Sequence, residues 1–340
     1  MFLPFCTFFW ILTGVSATFH PLSDEFIAQI NENQTHWTAG RNFKISEWAR
    51  VIQMASGVRF HHRLPRPSLL RTNKEIPEHF DSREKWPHCA SLFRIWDQSH
   101  CGSCWAVSAA ATMSDRICIH SSQNLQISVS AEDLLSCCHQ CGTGCLGGEI
   151  PRAWHYWRTT GIVTGGLYNS TAQGCRAYSL PPCEHHVPIQ RRPHCDTLKL
   201  ETPSCKLECD DSQLNYEDSL TFGGEVRHFV QPEEIQREIM ENGPVEGAIE
   251  VYEDFFSYKS GVYKRTSSGT YIGGHAVKIL GWGVENGVPY WLCANSWNKD
   301  WGDGGYFKIV RGENHCAVEE EVYASVPEFA QENRDDLRWI

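Results

Sequence analysis

Sixteen cysteines in 340 residues constrain this chain more than any other feature, because each bridge pins two segments within about 7 Å of each other. They are crowded between Ile76 and about Cys209. Cys6 lies in MFLPFCTFFWILTGVSA, where an apolar run from Phe2 to Leu12 gives way to small residues, with Val15 and Ala17 placed for a cut before Thr18. Residues 1–17 are therefore expected to be a signal peptide for the secretory pathway, and fifteen cysteines remain. An odd number in an oxidising compartment means mostly disulfides and at least one free thiol. A membrane anchor would need ~20 apolar residues, and neither this run nor a later one reaches that length, so no membrane span is expected. The net charge of -11 and the lack of a Lys/Arg block argue against nucleic acid or an anionic membrane as partner.

Residues 18–75 have helical apolar spacing at Phe26, Ile27 and Ile30 and end in RLPRPSLLRTNKE, a stretch open to cleavage. A cysteine-free leader before a cysteine-dense body suggests a propeptide; the alternative is an ordinary N-terminal helical subdomain. A helix is expected from Cys104 through SCWAVSAAATMSDRICI, and a second opened by Ser130 with Asp133 at capping distance. PEEIQREIMENG reads as a helix, and AIEVY, HAVKILGW, PYWLCANSW and GYFKIVRG read as strands of an antiparallel sheet or barrel. A helical first half and a β second half give an α+β protein of two lobes with a cleft between them. Asn33 and Asn169 head N-x-Thr sequons, acceptors for glycosylation in an exported chain.

Gln98-Ser-His-Cys101-Gly-Ser-Cys104-Trp105 places Cys104 at the N-terminus of the expected helix, where unpaired N–H groups and the helix dipole favour a thiolate. Nucleophilic chemistry then needs a base and a group to orient it, and His275 in Gly273-Gly-His-Ala and Asn295 in Ala294-Asn-Ser-Trp297 stand in that order. Each has a plainer reading: a C-x-x-C redox pair, a structural histidine, a turn asparagine. Three matches in order are far more specific than any one.

These segments, with SDRICIH, SAEDLLSCC, PPCEHH, NGPVEGA and GGHAVKILGWGVENGVPYW, resemble the cathepsin B group of the papain-family cysteine proteases from the signal to about Pro327. The resemblance implies a two-lobed fold with a helical left lobe and an antiparallel β-barrel right lobe, the active site lying between them. It implies Cys104 as nucleophile, His275 as base, Asn295 as its orienting partner and Trp297 as their shield. Gln98 would share an oxyanion hole with the Cys104 N–H, and the resting site would be a thiolate–imidazolium pair. Gly147 and Gly148 would form the edge that pairs with extended substrate. Gly274, Ala276 and Glu321 would form a pocket tolerant of Arg at P2, whereas Glu319, Glu320 and Glu321 could equally be an acidic surface run.

His275 lies 171 residues past Cys104, beyond the usual ~130–150, which marks an insertion. Residues 183–195, with His185 and His186, resemble the occluding loop that blocks the primed end of the cleft and receives a substrate's terminal carboxylate. Asp97 would hold the first histidine, and Arg192 with Asp300 would form a second latch. A zinc site or a solvated loop are the other readings of the two histidines. The pairings implied are Cys89–Cys118, Cys101–Cys145, Cys137–Cys205, Cys138–Cys141, Cys175–Cys209 and Cys183–Cys195, leaving Cys104, Cys293 and Cys316; the crowded Cys137–Cys145 run could also be read as a zinc knot.

The expected organisation is a signal peptide (1–17), an inhibitory propeptide lying backwards through the cleft (18–75), a mature peptidase domain (76–330) and a C-terminal tail without assigned role (331–340). The enzyme would be a monomer without cofactor or metal, acting on polypeptides in a lysosome or outside the cell, for example a gut lumen, and inhibited by cystatin-like proteins. Ser99-His100 for Gly-Ser, Leu146 for Asn, Cys293 for an aliphatic residue and a lengthened loop around Arg191-Arg192 depart from the group's pattern. The rivals are a catalytically silent binding protein on the same scaffold and a thiol–disulfide oxidoreductase using Cys101 and Cys104.

Overall fold

The computed structural model describes residues 19–60, 75–170, 174–184, 186, 192–198, 201–266 and 269–329. The expected signal, most of the Arg/Pro-rich linker, His185 and the C-terminal tail lie outside these residues. In chain order, the N-terminal segment contributes α1 (Asp24–Asn33), β1 (Trp37–Ala39) and α2 (Trp48–Met54). The body opens with β2 (Phe80–Asp81) and α3 (Ser82–Lys85), followed by α4 (Cys104–His120), α5 (Ala131–Cys137) and α6 (Ile150–Thr159). The short strands β3 (Ile162–Val163), β4 (Gly165–Gly166), β5 (Arg176–Ala177), β6 (Leu220–Gly223) and β7 (Arg227–Phe229) lead to α7 (Pro232–Asn242). The second half then runs β8 (Val245–Tyr252), β9 (Tyr258–Tyr263), β10 (Tyr271–Glu285), β11 (Val288–Ala294), β12 (Tyr306–Val310), β13 (Val322–Ala324) and β14 (Pro327–Glu328).

Local chemistry sets the helix ends. The Ser130 hydroxyl accepts from the Asp133 N–H at 3.0 Å, and Gly243 ends α7 with φ at +94°. Helix α4 carries Ala, Ser and Thr at many of its positions and is buried from Cys104 to Ile119. Small side chains let neighbours approach from every side, so α4 is the axle of the helical lobe, packed against α5, α6 and β10.

The expected barrel is corrected to an open sheet ordered β1-β9-β12-β11-β10-β8-β13-β7, with β2 alongside β10. Closure would require the outer strands to pair with each other. Here β1 and β7 are three residues each, and β1 comes from the N-terminal segment. One pair, β9 with β12, is parallel.

The N-terminal segment is no separate subdomain. Phe26, Ile30, Trp37, Phe43, Val51 and Met54 join one apolar cluster with Phe255, Phe256, Tyr258, Trp297 and Trp301 of the β lobe. Each large side chain so buried stabilises the docked segment by about 1.5–3 kcal/mol. Trp37 Nε1 donates to the Lys264 carbonyl at 2.9 Å, and Asn42 Nδ2 donates to the Phe256 and Tyr258 carbonyls at 2.9 and 2.8 Å.

Candidate active site

Three elements converge on the cleft. Cys104 is the first residue of α4, His275 lies on β10 opposite Ile249 of β8, and Asn295 follows β11. His275 Nε2 donates to Asn295 Oδ1 at 2.8 Å, and the Ser296 N–H donates to the same oxygen at 2.7 Å. Two donors on one atom fix it as the oxygen, so Nε2 carries the proton and Nδ1 is left as the basic nitrogen. The Trp297 ring lies over the imidazole with centroids 4.8 Å apart.

The sulfur of Cys104 accepts from the Ala276 N–H at 3.4 Å. Gln98 is fully buried: its Nε2 donates to the carbonyls of Cys101 at 2.7 Å and Met54 at 3.1 Å, and its Oε1 accepts from Ser296 Oγ at 2.6 Å. Met54 belongs to the N-terminal segment, so a carbonyl of that segment occupies the Gln98 donor. The segment continues over the sulfur at Gly57, where a Cβ would stand 2.5 Å from Cys104 Sγ. Only glycine fits so close an approach.

Beyond Gly57 the segment is extended. The Val58 N–H donates to Gly274 at 2.8 Å, the Arg59 N–H donates to Gly148 at 2.9 Å, and the Gly148 N–H donates to Gly57 at 3.0 Å. Gly147 lies in the left-handed region at φ +100°, and a Cβ on Gly148 would reach 2.6 Å from the Trp105 ring. Phe60 packs with the cluster that holds Ala248, Ala276 and Tyr323. Glu321 is buried immediately before β13, its carbonyl accepting from the Ala248 N–H at 3.0 Å, and Glu319 is buried too, accepting from Trp291 Nε1 at 2.8 Å and from the backbone of Gly312 and Asn314. Glu319 and Glu321 are therefore not a surface run.

Burial decides the charge state. Cys104 and His275 have no exposed surface, which pushes the thiol up to about 12 and the imidazole down to about 4. The Asn295 bond and the nearby Met54 carbonyl oppose the second shift without reversing it, and the Met54 carbonyl does not satisfy Nδ1 as a hydrogen bond. With the segment docked, burial favours the thiol and the neutral imidazole over the thiolate–imidazolium pair that the resemblance implies.

At the far end of the cleft, His186 Nε2 lies 2.7 Å from the Trp297 carbonyl and Nδ1 lies 3.2 Å from the Asn42 carbonyl. Phe43 bridges to His186, with ring centroids 4.8 Å apart. Arg192 Nη1 meets Asp300 Oδ2 at 2.5 Å and Glu184 at 3.8 Å. Asp97 accepts from the Ser99 N–H at 2.8 Å and Asn298 Nδ2 at 3.1 Å; its expected partner His185 is outside the described residues.

The structure pairs Cys89 with Cys118, Cys101 with Cys145, Cys137 with Cys205, Cys138 with Cys141, Cys175 with Cys209 and Cys183 with Cys195, and leaves Cys104, Cys293 and Cys316 as buried thiols. That removes the Cys101–Cys104 redox pair and the zinc knot. Among the described residues, one cluster has metal-like spacing, His100 with Cys183 and Cys195, and both sulfurs are taken by their own bond. No helix among the described residues is long and apolar enough to cross a membrane. Met54, Asn42, Ser296 and the buried Glu246, whose charge bears on Cys104, were not singled out from the sequence. Nothing in their local pattern sets them apart.

The sequence matches the papain family cysteine protease profile over residues 76–326 and the C1 peptidase propeptide profile over residues 22–51. It is 45% identical to a "Cathepsin B-like cysteine proteinase" of Schistosoma japonicum over 93% of this chain and 94% of that protein. It is 44% identical to "Cathepsin B-like cysteine proteinase 6" of Caenorhabditis elegans over 90% of this chain and 83% of that protein. Among solved structures, "proCathepsin B S9 from Trypanosoma congolense" superposes with a TM-score of 0.76 at 36% identity, covering 91% of this chain and 99% of that one.

Proposed function

The chain belongs to the papain family of cysteine proteases, and from that premise we propose that it is a cathepsin B-like protease made as a zymogen, with a Cys104–His275–Asn295 site and both endopeptidase and C-terminal dipeptidyl carboxypeptidase activity. One observation carries the reading. The N-terminal segment crosses the cleft as a peptide would, with its Met54 carbonyl on Gln98 and its Gly57–Arg59 backbone on Gly148 and Gly274. Asn42 and Phe43 lie at His186, so the segment runs from the loop end toward Gly148. A substrate with its N-terminal side on Gly148 runs the opposite way, which keeps the segment itself from presenting a scissile bond correctly.

Once the segment leaves, water and substrate polar groups reach the pair, and the helix N-terminus favours Cys104 as thiolate. The sulfur attacks the scissile carbonyl, and its oxygen becomes the oxyanion held by Gln98 Nε2 and the Cys104 N–H. His275 Nδ1 takes the Cys104 thiol proton, passes it to the leaving amine and then takes one from the water that cleaves the acyl-enzyme. Asn295 keeps the ring facing the sulfur.

The dipeptidyl carboxypeptidase activity rests on the disulfide-closed loop with His186 at the primed end, latched by Arg192 and Asp300. An imidazolium there receives a terminal carboxylate two residues past the scissile bond. Glu321, buried near Ala248 and Ala276, gives the P2 pocket an acidic floor suited to Arg. The silent binding protein is disfavoured because nucleophile, base, orienting amide and oxyanion donor are all present.

The test uses acid-activated protein and two peptides of one sequence, one ending in a free carboxylate and one amidated, followed by mass spectrometry near pH 5 with Cys104→Ala as control. Stepwise loss of dipeptides from the free acid alone supports both halves of the reading. Internal cuts in both peptides keep the protease and discard the dipeptidyl carboxypeptidase, and no Cys104-dependent cleavage discards both.

A further inference from the structure

The order in which the N-terminal segment touches the cleft maps the subsites. Asn42 and Phe43 meet His186, Met54 meets Gln98, and Val58 meets Gly274. Arg50, on the same helix as Met54 and between these contacts, stands close enough to His100 for its charge to bear on the imidazole. His100 Nδ1 lies 3.7 Å from Cys183 Sγ, at the root of the disulfide-closed loop, which puts it toward the primed side. The family pattern that the sequence resembles implies serine at this position.

Its setting is built rather than incidental. His100 Nδ1 lies 3.7 Å from Cys183 Sγ, and Ser99 Oγ lies 3.8 Å from the same sulfur, so both replaced residues seat the base of the loop. Ser99 takes φ of +59° to do so, held by its N–H on Asp97 at 2.8 Å. The neighbouring charges are accounted for: Arg50 pairs with Glu47 at 2.8 Å, Glu184 faces Arg192 at 3.8 Å, and Asp97 is tied to Ser99 and Asn298. Among the described residues no carboxylate forms an ion pair with His100.

We infer that His100 is a specificity residue of the mature enzyme, one that attracts a Glu or Asp side chain at the first or second substrate residue beyond the scissile bond. This rests on the protease reading above. While the segment is docked, burial first and Arg50 second hold the imidazole down at about 4, and only 8% of the residue is exposed. Loss of the segment takes the Arg50 cation away, which raises the affinity of the imidazole for a proton. An acidic primed side chain, still ionised at pH 5, then gains a charge-assisted hydrogen bond that a glutamine cannot match.

The test uses peptides blocked at both ends, so that terminal carboxylates play no part, with Glu or Gln at each of the two primed positions. Activated wild type, His100→Ser and His100→Arg are compared at pH 5 and pH 7. For wild type the Glu/Gln ratio of kcat/KM at one of these positions is expected to be about fivefold higher at pH 5 than at pH 7. His100→Ser should lose that pH dependence of the Glu/Gln ratio, and His100→Arg should prefer Glu at both pH values. A pH-dependent ratio that survives in His100→Ser, or a flat ratio in wild type, overturns the inference. Absence of Cys104-dependent cleavage of every peptide overturns the protease reading instead, and this inference with it.

Discussion

The side-chain amide of Gln98 donates to the main-chain carbonyl of Met54 at 3.1 Å, so the group that would hold a developing oxyanion is occupied by the chain's own N-terminal segment. The same amide also donates to Cys101 and accepts from Ser296, which leaves it no freedom to turn away. On the proposed mechanism, inhibition and catalysis share one donor. Gln98→Ala in the activated enzyme should lower kcat by ~10²–10³ with little change in KM, measured on a peptide with an apolar P2 residue.

Acid should loosen the docked segment through His275 in Cys104→Ser, where no thiol proton can pass to the imidazole. Its imidazole is held down to about 4 while covered, mainly by desolvation, and returns toward ~6.5 when uncovered. Between those values the open form of this variant binds the extra proton, so stability of the closed form is present above ~6.5 and is lost as pH falls toward 4. The full window is worth at most about 3 kcal/mol, or roughly tenfold per pH unit. Hydrogen exchange at the Val58 and Arg59 amides, bonded to Gly274 and Gly148, should accelerate over this range in full-length Cys104→Ser, which cannot process itself.

Asn42 anchors the segment far from the sulfur, through two buried bonds to Phe256 and Tyr258. Asn42→Ala strands two carbonyls at a cost of about 1–3 kcal/mol each. The variant should process itself at near-neutral pH, where the wild-type precursor remains intact on a gel, and the mature enzymes should have equal kcat/KM.

Arg192 and Asp300 meet at 2.5 Å on a partly exposed face, and the guanidinium holds the Asp300 carboxyl below its ordinary range. A pair this open is worth about 0.2–1 kcal/mol. Arg192→Ala should shift activity from dipeptide removal toward internal cleavage by up to about fivefold, read from the free-acid and amidated peptides.

Glu321 should set charge preference at P2. Glu321→Gln keeps the shape and removes the anion, so the Arg/Phe ratio of kcat/KM at P2 should fall roughly tenfold. An unchanged ratio would place the Arg-tolerant group elsewhere.

Much of the fold was legible because its signals are local. The Ser130 cap, the Ala-rich run from Cys104, the Pro232–Gly243 helix and the alternating strands each declare themselves within about ten residues. Family resemblance then named Cys104, His275, Asn295 and Gln98, and the structure brings them to one cleft. What the sequence could not carry is whatever depends on segments far apart in the chain meeting in space. The open sheet follows from three-residue outer strands, one of them lent by the N-terminal segment. Burial shifts Cys104 and His275 toward their neutral forms, and burial with the Arg50 charge does the same to His100. Composition and spacing determine which groups a chain possesses; which of them are dry, and therefore which are charged, was decided only by how the N-terminal segment packs across the cleft.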